Sequence, residues 1–509
     1  MASTQMWMSV TVILYLIMVV GIGIYFSNKN NDAGDFYLGG RKLGPFVTAM
    51  SAEASDMSSY LLLGVPGLAY LTGNGEAFWT VVGLGIGTYI NWVLVAKRLR
   101  NYTETTNSIT LPEFFSKRFG DERKILTAIA AIVIIIFFIP YTASGFSACG
   151  KLFNSLFGFD YTTAMIVSAL VIVLYTTLGG FLAASTSDFI QGIVMSCALL
   201  MIVIFSVVMA GGLGEVIENC RALPGFFSLT ATHNPETEGA NPFGFIAIVS
   251  TLAWGLGYFG MPHILIRFMA IEDDNKLKLS RRIATIWVFI AMGVAMFVGF
   301  SGMVLSKKGM IPSLEDSETV IIKLSYFFAS YGVLAALLGG LVIAGILAAT
   351  MSTADSQMLV AASGFSQNFL RDVFKVKMNQ RTEMLIARLT VVTIALIAMF
   401  FARNPNSSVF RIVSFAWAGF GAAFGPVVLM ALFWKRANKW GALAGMVCGG
   451  AMVFIWKFLV RPMGGGWDIY ELLPAFIVAL VAIVVVSLIT PAPEQKVLDG
   501  YEEYQKAIS

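Results

Sequence analysis

The chain has 509 residues, 57% of them apolar and only 13% charged, with 34 Lys and Arg against 30 Asp and Glu and a mean hydropathy of +0.77. Soluble domains carry about 25% charged residues, so this composition describes an all-α polytopic membrane protein. No long basic run offers a nucleic-acid surface. Two histidines, His233 and His263, and four cysteines without a CxxC pair leave almost no material for metal or histidine chemistry. The cysteines, Cys149, Cys197, Cys220 and Cys448, read as buried apolar side chains.

Apolar runs of about 20 residues give about thirteen spans: 7–26, 46–72, 77–96, 125–150, 161–182, 188–210, 243–266, 283–305, 327–362, 384–402, 408–434, 440–458 and 468–490. The first lacks a basic n-region and is followed by Lys29 instead of a small-residue cleavage site, so it reads as a retained span. Of the 34 basic residues, 25 fall in alternate loops and in the tail: Lys29 to Lys42, Lys97 to Lys124, Arg267 to Arg282, Arg371 to Arg388, Lys435 to Lys439, and 491–509. Positive charge stays on the cytoplasmic face. The N-terminus is therefore expected outside and the C-terminal tail inside. Residues 1–490 read as one thirteen-span membrane domain and 491–509 as a short cytoplasmic tail, too short for a signalling module. The outer loop 211–242 is rich in Gly, Pro and Thr and is expected to be structured only by its neighbours.

The second span carries SAEASDMSSY, Ser51 to Tyr60, with two carboxylates (Glu53 and Asp56) and four serines inside an apolar run. Backbone in lipid must satisfy its own hydrogen bonds, and irregular backbone survives only against protein or a cavity. The stretch therefore reads as a helix break whose carbonyls and hydroxyls face a ligand, as in broken-helix transporters. Tight small-residue packing with Asp56 as a cap is the blander reading. In span four, Pro140 precedes Tyr141, and a kink there can aim the ring inward.

At 179–192, GGFLAASTSDFIQG places Asp188 near the cytoplasmic end of span six. A helix N-terminal acid with Thr186 or Ser187 as cap accounts for it as well as an ion site does. Span seven contains Trp254-Gly255-Leu256-Gly257-Tyr258-Phe259-Gly260 followed by Pro262. Three glycines and a proline weaken a helix, and the aromatics can wall an apolar ligand. An interfacial aromatic belt is the alternative. Span nine contains AGILAATMSTADSQ, which sets Ala349, Ser352, Thr353 and Ser356 on one helical face. Its hydroxyls and carbonyls suit a hard monovalent cation, though Ser and Thr also bond their own helix. Asp355 lies off that face.

These motifs resemble the sodium/solute symporter family, in particular its sodium/proline branch. The resemblance runs nearly end to end, through GGRKLGPFVTAMSAEASDMSSYLLLGVPG, LVAKRLRNYTE, GGFLAAS, WGLGYFGMPHILIRFMA, ILAATMSTADSQMLV and FAWAGFGAAFGPVVL. It implies the leucine-transporter fold, with two five-helix inverted repeats at about 46–210 and 243–434. It implies a sodium site of backbone oxygens from Ala54, Met57 and Ala349 and hydroxyls from Ser352 and Thr353. Asp56 and Ser58 match residues needed for sodium and substrate. Tyr141, Trp254 and Tyr258 match the wall of the substrate pocket, and Asp188 an acid of the ion pathway. Two positions depart from the branch: Tyr60 stands where tryptophan is usual over the substrate, and Met261 where glutamine is common.

The expectation is a sodium-coupled importer of a small amino acid, proline first, working by alternating access in the plasma membrane. Sodium is co-transported, and no organic cofactor or protein partner is implied. Another small amino acid or a carboxylate is the alternative substrate, and a transporter-like nutrient sensor is the rival of a different class.

Overall fold

The computed structural model describes residues 2–27, 32–405 and 408–508. Lys29, one of the basic residues expected on the inner face, lies outside the described residues. Among the described residues, ten helices are long and apolar enough to cross a membrane, and the bent pair Phe245–Phe259 and Pro262–Ala270 makes an eleventh. Three expected spans, 46–72, 161–182 and 188–210, do not form separate straight helices. Pro45–Ser59, a wide π turn at Tyr60–Gly64 and Val65–Thr72 follow one another in the second apolar run. Tyr161–Met209 is a single stretch of 49 residues. A straight helix of that length would reach about 73 Å, more than twice the roughly 30 Å of a hydrocarbon core.

Both departures hinge on one residue. Ser58 has φ 49° and ψ −170° inside its helix, a conformation that costs a non-glycine residue on the order of 1–3 kcal/mol. Gly180 has φ 61° and ψ −157° inside the 49-residue stretch. The boundary between spans five and six is therefore Gly180, not the expected 183–187, which are helical. A side chain at Gly180 would meet the Phe36 ring and carbonyl at about 3 Å.

Val333–Ser363 sits at the centre. Every residue from Val342 to Ser363 is buried, as expected of a helix apolar and small all round. It packs on Ala2–Ser27, Pro45–Ser59, Ile125–Phe157 and Tyr161–Met209. The second broken span crosses beside it. Phe245–Leu252 tightens into a 3-10 turn at Ala253–Phe259, and Pro262 opens the next helix after a 44° bend. Gly257 and Gly260 do more here than weaken a helix. A Cβ at either would collide with the Trp417 indole or the Phe420 carbonyl, so the glycines let Val409–Phe433 approach.

The outer loop has structure of its own, contrary to expectation. It holds a helix, Leu213–Arg221, and a hairpin pairing Ala231–Asn234 with Gly239–Pro242. The turn residues Pro235 to Glu238 between two extended runs are the signal that was passed over. The tail is also ordered. Gln495–Ile508 is a helix whose Tyr501 and Tyr504 hydroxyls donate to the Leu432 carbonyl, with Tyr504 stacked on Tyr102 at 4.1 Å. In the loop after the first span, Arg41 ties neighbouring segments together by donating to the carbonyls of Met269, Thr103 and Ser108. Burial, and then the nearby Arg100, pull its pKa down to about 10, so it stays charged at neutral pH. Cys149 and Cys220 are buried as expected, but Cys197 and Cys448 are exposed on the outside of the bundle.

Candidate functional site

The break in Pro45–Ser59 faces the hydroxyls of Val333–Ser363. The Ser352 hydroxyl donates to the Ala54 carbonyl at 2.8 Å and lies 3.2 Å from the Ala349 carbonyl. The Thr353 hydroxyl donates to the same Ala349 carbonyl at 3.2 Å. Four of the five residues expected around sodium thus meet in one buried cluster of neutral oxygens. Met57 is placed differently. Its carbonyl accepts from the Tyr60 N–H, and the residue lines the adjoining cavity. The Ser58 hydroxyl accepts from the Tyr60 N–H at 3.1 Å and so holds the break open on one side.

That cavity is enclosed by Asp56, Met57, Tyr60, Leu84, Tyr141, Trp254, Val413 and Trp417 around a void of about 10 Å³. This is room for no more than a water. Tyr258 closes it from beside Asp56, its hydroxyl donating to Oδ2 at 2.5 Å. The Tyr60 ring stacks on Trp254 with centroids 5.4 Å apart, and Trp254 stacks on Tyr470 at 5.2 Å. The Trp417 indole N–H donates to the Trp254 carbonyl at 2.8 Å. Trp254 and Tyr258 are buried, so they form no interfacial belt. The Tyr60 and Tyr141 hydroxyls are buried with no well-formed hydrogen bond among the described residues. A buried polar atom without a partner costs free energy, so a water or a polar ligand group beside these two hydroxyls would be stabilising. Leu84, Val413, Trp417 and Tyr470 were not singled out in the sequence. Trp417 lies in FAWAGFGAAFGPVVL, where a tryptophan amid small residues was the available signal.

Asp188 lies elsewhere and is held otherwise than expected. It is 0% exposed and sits well inside the helical stretch, eight residues past Gly180, so neither Thr186 nor Ser187 caps a helix beside it. Its Oδ2 accepts from Arg267 Nη2 at 3.0 Å and from the Ser51 hydroxyl at 2.6 Å. Arg267 is itself 1% exposed. It belongs to the buried helix Pro262–Ala270, not to the basic loop with which it was counted. Its remaining donors go to the Ser51 hydroxyl, the His263 carbonyl and the Ser356 hydroxyl. Ser356, expected on the ion-facing side of its helix, thus serves the arginine. Asp355 joins this cluster, accepting from Tyr175 at 2.8 Å and from Ser356 at 3.0 Å. Glu53, left without a partner by the sequence, accepts from Thr88 at 3.2 Å and from the Trp92 indole at 3.1 Å.

Comparison with known proteins places this geometry. The model of the sodium:solute symporter family matches residues 36–449. The high-affinity proline transporter PutP of Bacillus subtilis (strain 168) is 41% identical over 491 residues, 96% of this chain and 99% of its own length. The osmoregulated proline transporter OpuE of the same organism is 41% identical, covering 94% of each chain. The sodium/proline symporter of Staphylococcus aureus (strain JH9) is 39% identical over 95% of this chain and 93% of its own. Among solved structures, a substrate-bound, outward-open Na+-coupled sialic acid symporter superposes with a TM-score of 0.77 at 16% identity, covering 96% of this chain and 99% of that one. Mhp1, a nucleobase-cation-symport-1 family transporter in a closed conformation, superposes with a TM-score of 0.57 at 15% identity, covering 93% and 99%. The fold is that of the leucine-transporter group.

Proposed function

We propose that this chain, which belongs to the sodium:solute symporter family, imports L-proline with sodium. Sodium-coupled solute transport, not catalysis, is the family's activity. Proline as the solute rests on the relatives at 39–41% identity and on one observation of this chain. An aromatic-walled cavity is lined by Tyr60, Tyr141 and Asp56 immediately beside a cluster of neutral oxygens. The aromatic wall suits an apolar ring and the hydroxyls a charged end group.

In this reading sodium sits among the oxygens of Ala54, Ala349, Ser352 and Thr353, and the Met57 carbonyl joins them by giving up its bond from the Tyr60 N–H. The two hydroxyls now donate to the two alanine carbonyls. An entering cation takes the place of those protons, and the hydroxyls turn their lone pairs toward it. Asp56 supplies the nearest negative charge, and Ser58, Tyr60, Tyr141, Trp254 and Tyr258 face the substrate. Asp188 lies on the ion's route toward the cytoplasm. The chain crosses the plasma membrane about thirteen times, with the N-terminus outside and the tail inside. A potential of about 100 mV adds roughly 2.3 kcal/mol per entering charge, about fifty-fold in accumulation.

Uptake of labelled proline into proteoliposomes tests this directly. An inward sodium gradient should drive accumulation, potassium should not replace it, and unlabelled proline should compete better than other small amino acids. Full uptake in potassium would sink the coupling. Stronger competition by another amino acid or a carboxylate would reassign the substrate.

A further inference from the structure

On the outer face of the bundle, away from the transport site, an apolar groove of about 440 Å³ runs between Tyr161–Met209 and the helix Leu277–Lys307. Its floor and walls include Leu199, Leu200, Ile286, Ile290 and Val294. Ile286 and Ile290 are more than half exposed, so the groove opens toward the bilayer. Trp287 lines it as well. The indole N–H donates to the Ser196 hydroxyl at 2.8 Å across the groove, which satisfies its polar atom internally and leaves the ring as an apolar wall.

One end of this groove is charged. Arg282 lines it and, with Lys278 one turn earlier, is exposed. Neither side chain has a hydrogen bond or ion pair among the described residues. Arg282, Ile286, Ile290 and Val294 line the groove as one ridge of i, i+4 neighbours, and Lys278 adjoins Arg282 one turn earlier on the same ridge. Along that face the charge comes first and the apolar stripe follows. From Arg282 to Val294 the helix rises about 18 Å, close to the depth of one leaflet, half of a roughly 30 Å core. A cationic end joined to an apolar trough one leaflet deep matches an anionic headgroup joined to an acyl chain.

We propose that this groove is a binding site for an anionic phospholipid of the surrounding leaflet. Lys278 and Arg282 hold its phosphate, and one acyl chain lies between Trp287 and Leu200. Each cation near the surface favours an anionic lipid by about five-fold, so preference over a zwitterionic lipid should be several-fold.

Trp287 reports on the site. The purified protein is placed in phosphatidylcholine vesicles with increasing phosphatidylglycerol, one lipid at a time carrying brominated chains that quench tryptophan. Subtracting the quenching of Trp287→Phe isolates this groove. Brominated phosphatidylglycerol should quench the Trp287 component at several-fold lower mole fraction than brominated phosphatidylcholine. The double variant Lys278→Gln/Arg282→Gln should lose the difference while keeping the quenching. Equal quenching by both lipids in the parent, or a preference that survives the double variant, overturns the proposal. Should Trp287→Phe not fold, native mass spectrometry replaces it: the parent should retain one more phosphatidylglycerol than the double variant, and equal retention overturns the site. Neither readout involves transport, so the outcome is independent of the substrate assignment.

Discussion

Asp56 and Asp188 are both buried carboxylates, and the protein holds them in opposite ways. Asp188 shares one oxygen between Arg267 and Ser51, and Arg267 goes on to bond His263 and Ser356. Among the described residues Asp56 has a single side-chain hydrogen bond, from Tyr258, beside a backbone break and a small cavity. No lysine or arginine pairs with it among the described residues. A buried charge needs a counter-charge. At Asp188 that cation is part of the chain; at Asp56 no cation of the described residues fills the role. Local sequence cannot tell these two apart, because the difference lies in what an arginine 79 residues away does.

The largest expected effect tests the fixed pair. Removing one member leaves the other as a bare buried charge, a loss of about 3–5 kcal/mol. Arg267→Gln and Asp188→Asn should each lower the thermal unfolding temperature in detergent by many degrees. The combined variant, with no charge left to strand, should recover most of that loss. If the two losses simply add in the combined variant, the pair is not coupled and the contrast with Asp56 fails.

The next effect tests the open acid. Asp56→Asn should leave unfolding nearly unchanged, since no fixed cation is stranded, yet reduce sodium-driven uptake severely. Tyr258→Phe removes a hydrogen bond to a charged group, about 1.5–3 kcal/mol, or roughly ten- to a hundred-fold in apparent affinity. Measured together, unfolding and uptake should separate: stability falls at Asp188 and transport falls at Asp56. A fall in stability at both would make Asp56 a structural residue.

A smaller change is expected at the hydroxyls. Ser352→Ala or Thr353→Ala removes one neutral oxygen from the cluster around Ala54 and Ala349. The expected cost is on the order of 1–1.5 kcal/mol, about ten-fold in the sodium concentration for half-maximal uptake. Proline affinity at saturating sodium should change less. A sodium titration unaltered in both variants would falsify the ion-site assignment.

What was legible in the sequence was whatever lay within one turn of a local anomaly. Two acids and four serines in an apolar run marked the break at Ser58, and the adjacent Ser352 and Thr353 marked the oxygen cluster. What was not legible depended on distant chain. Glu53 finds Thr88 and Trp92 on another helix, and Trp417 reaches Trp254 from 163 residues away. Arg267 was misassigned for a specific reason. Counting basic residues by loop treats a cation at the end of an apolar run as a surface charge, and here the helix continues to Ala270 with that side chain turned inward. Gly180 was not legible as the boundary because it lies inside the apolar run 161–182, and only its positive φ sets it apart from the glycine beside it.

The smallest expected effect lies at Tyr60, on the same cavity as Asp56. Its ring stacks on Trp254 and lies 5.7 Å from Phe410, so it is part of the wall. Its hydroxyl is buried without a well-formed hydrogen bond among the described residues, a state that costs free energy. Tyr60→Trp removes that hydroxyl and adds apolar area, which together favour a bound apolar ring. Against this, the void holds only about 10 Å³, and overfilling a tight site costs 1–3 kcal/mol if the backbone cannot yield. The wide turn at Tyr60–Gly64 gives the wall somewhere to move, so the gain should prevail by about 1 kcal/mol, several-fold tighter proline binding. Binding at saturating sodium in the two forms measures it. If Tyr60→Trp leaves proline affinity untouched while Trp254→Ala abolishes it, the Tyr60 ring turns away from the substrate. Asp56 and Trp254 would then define the pocket without it.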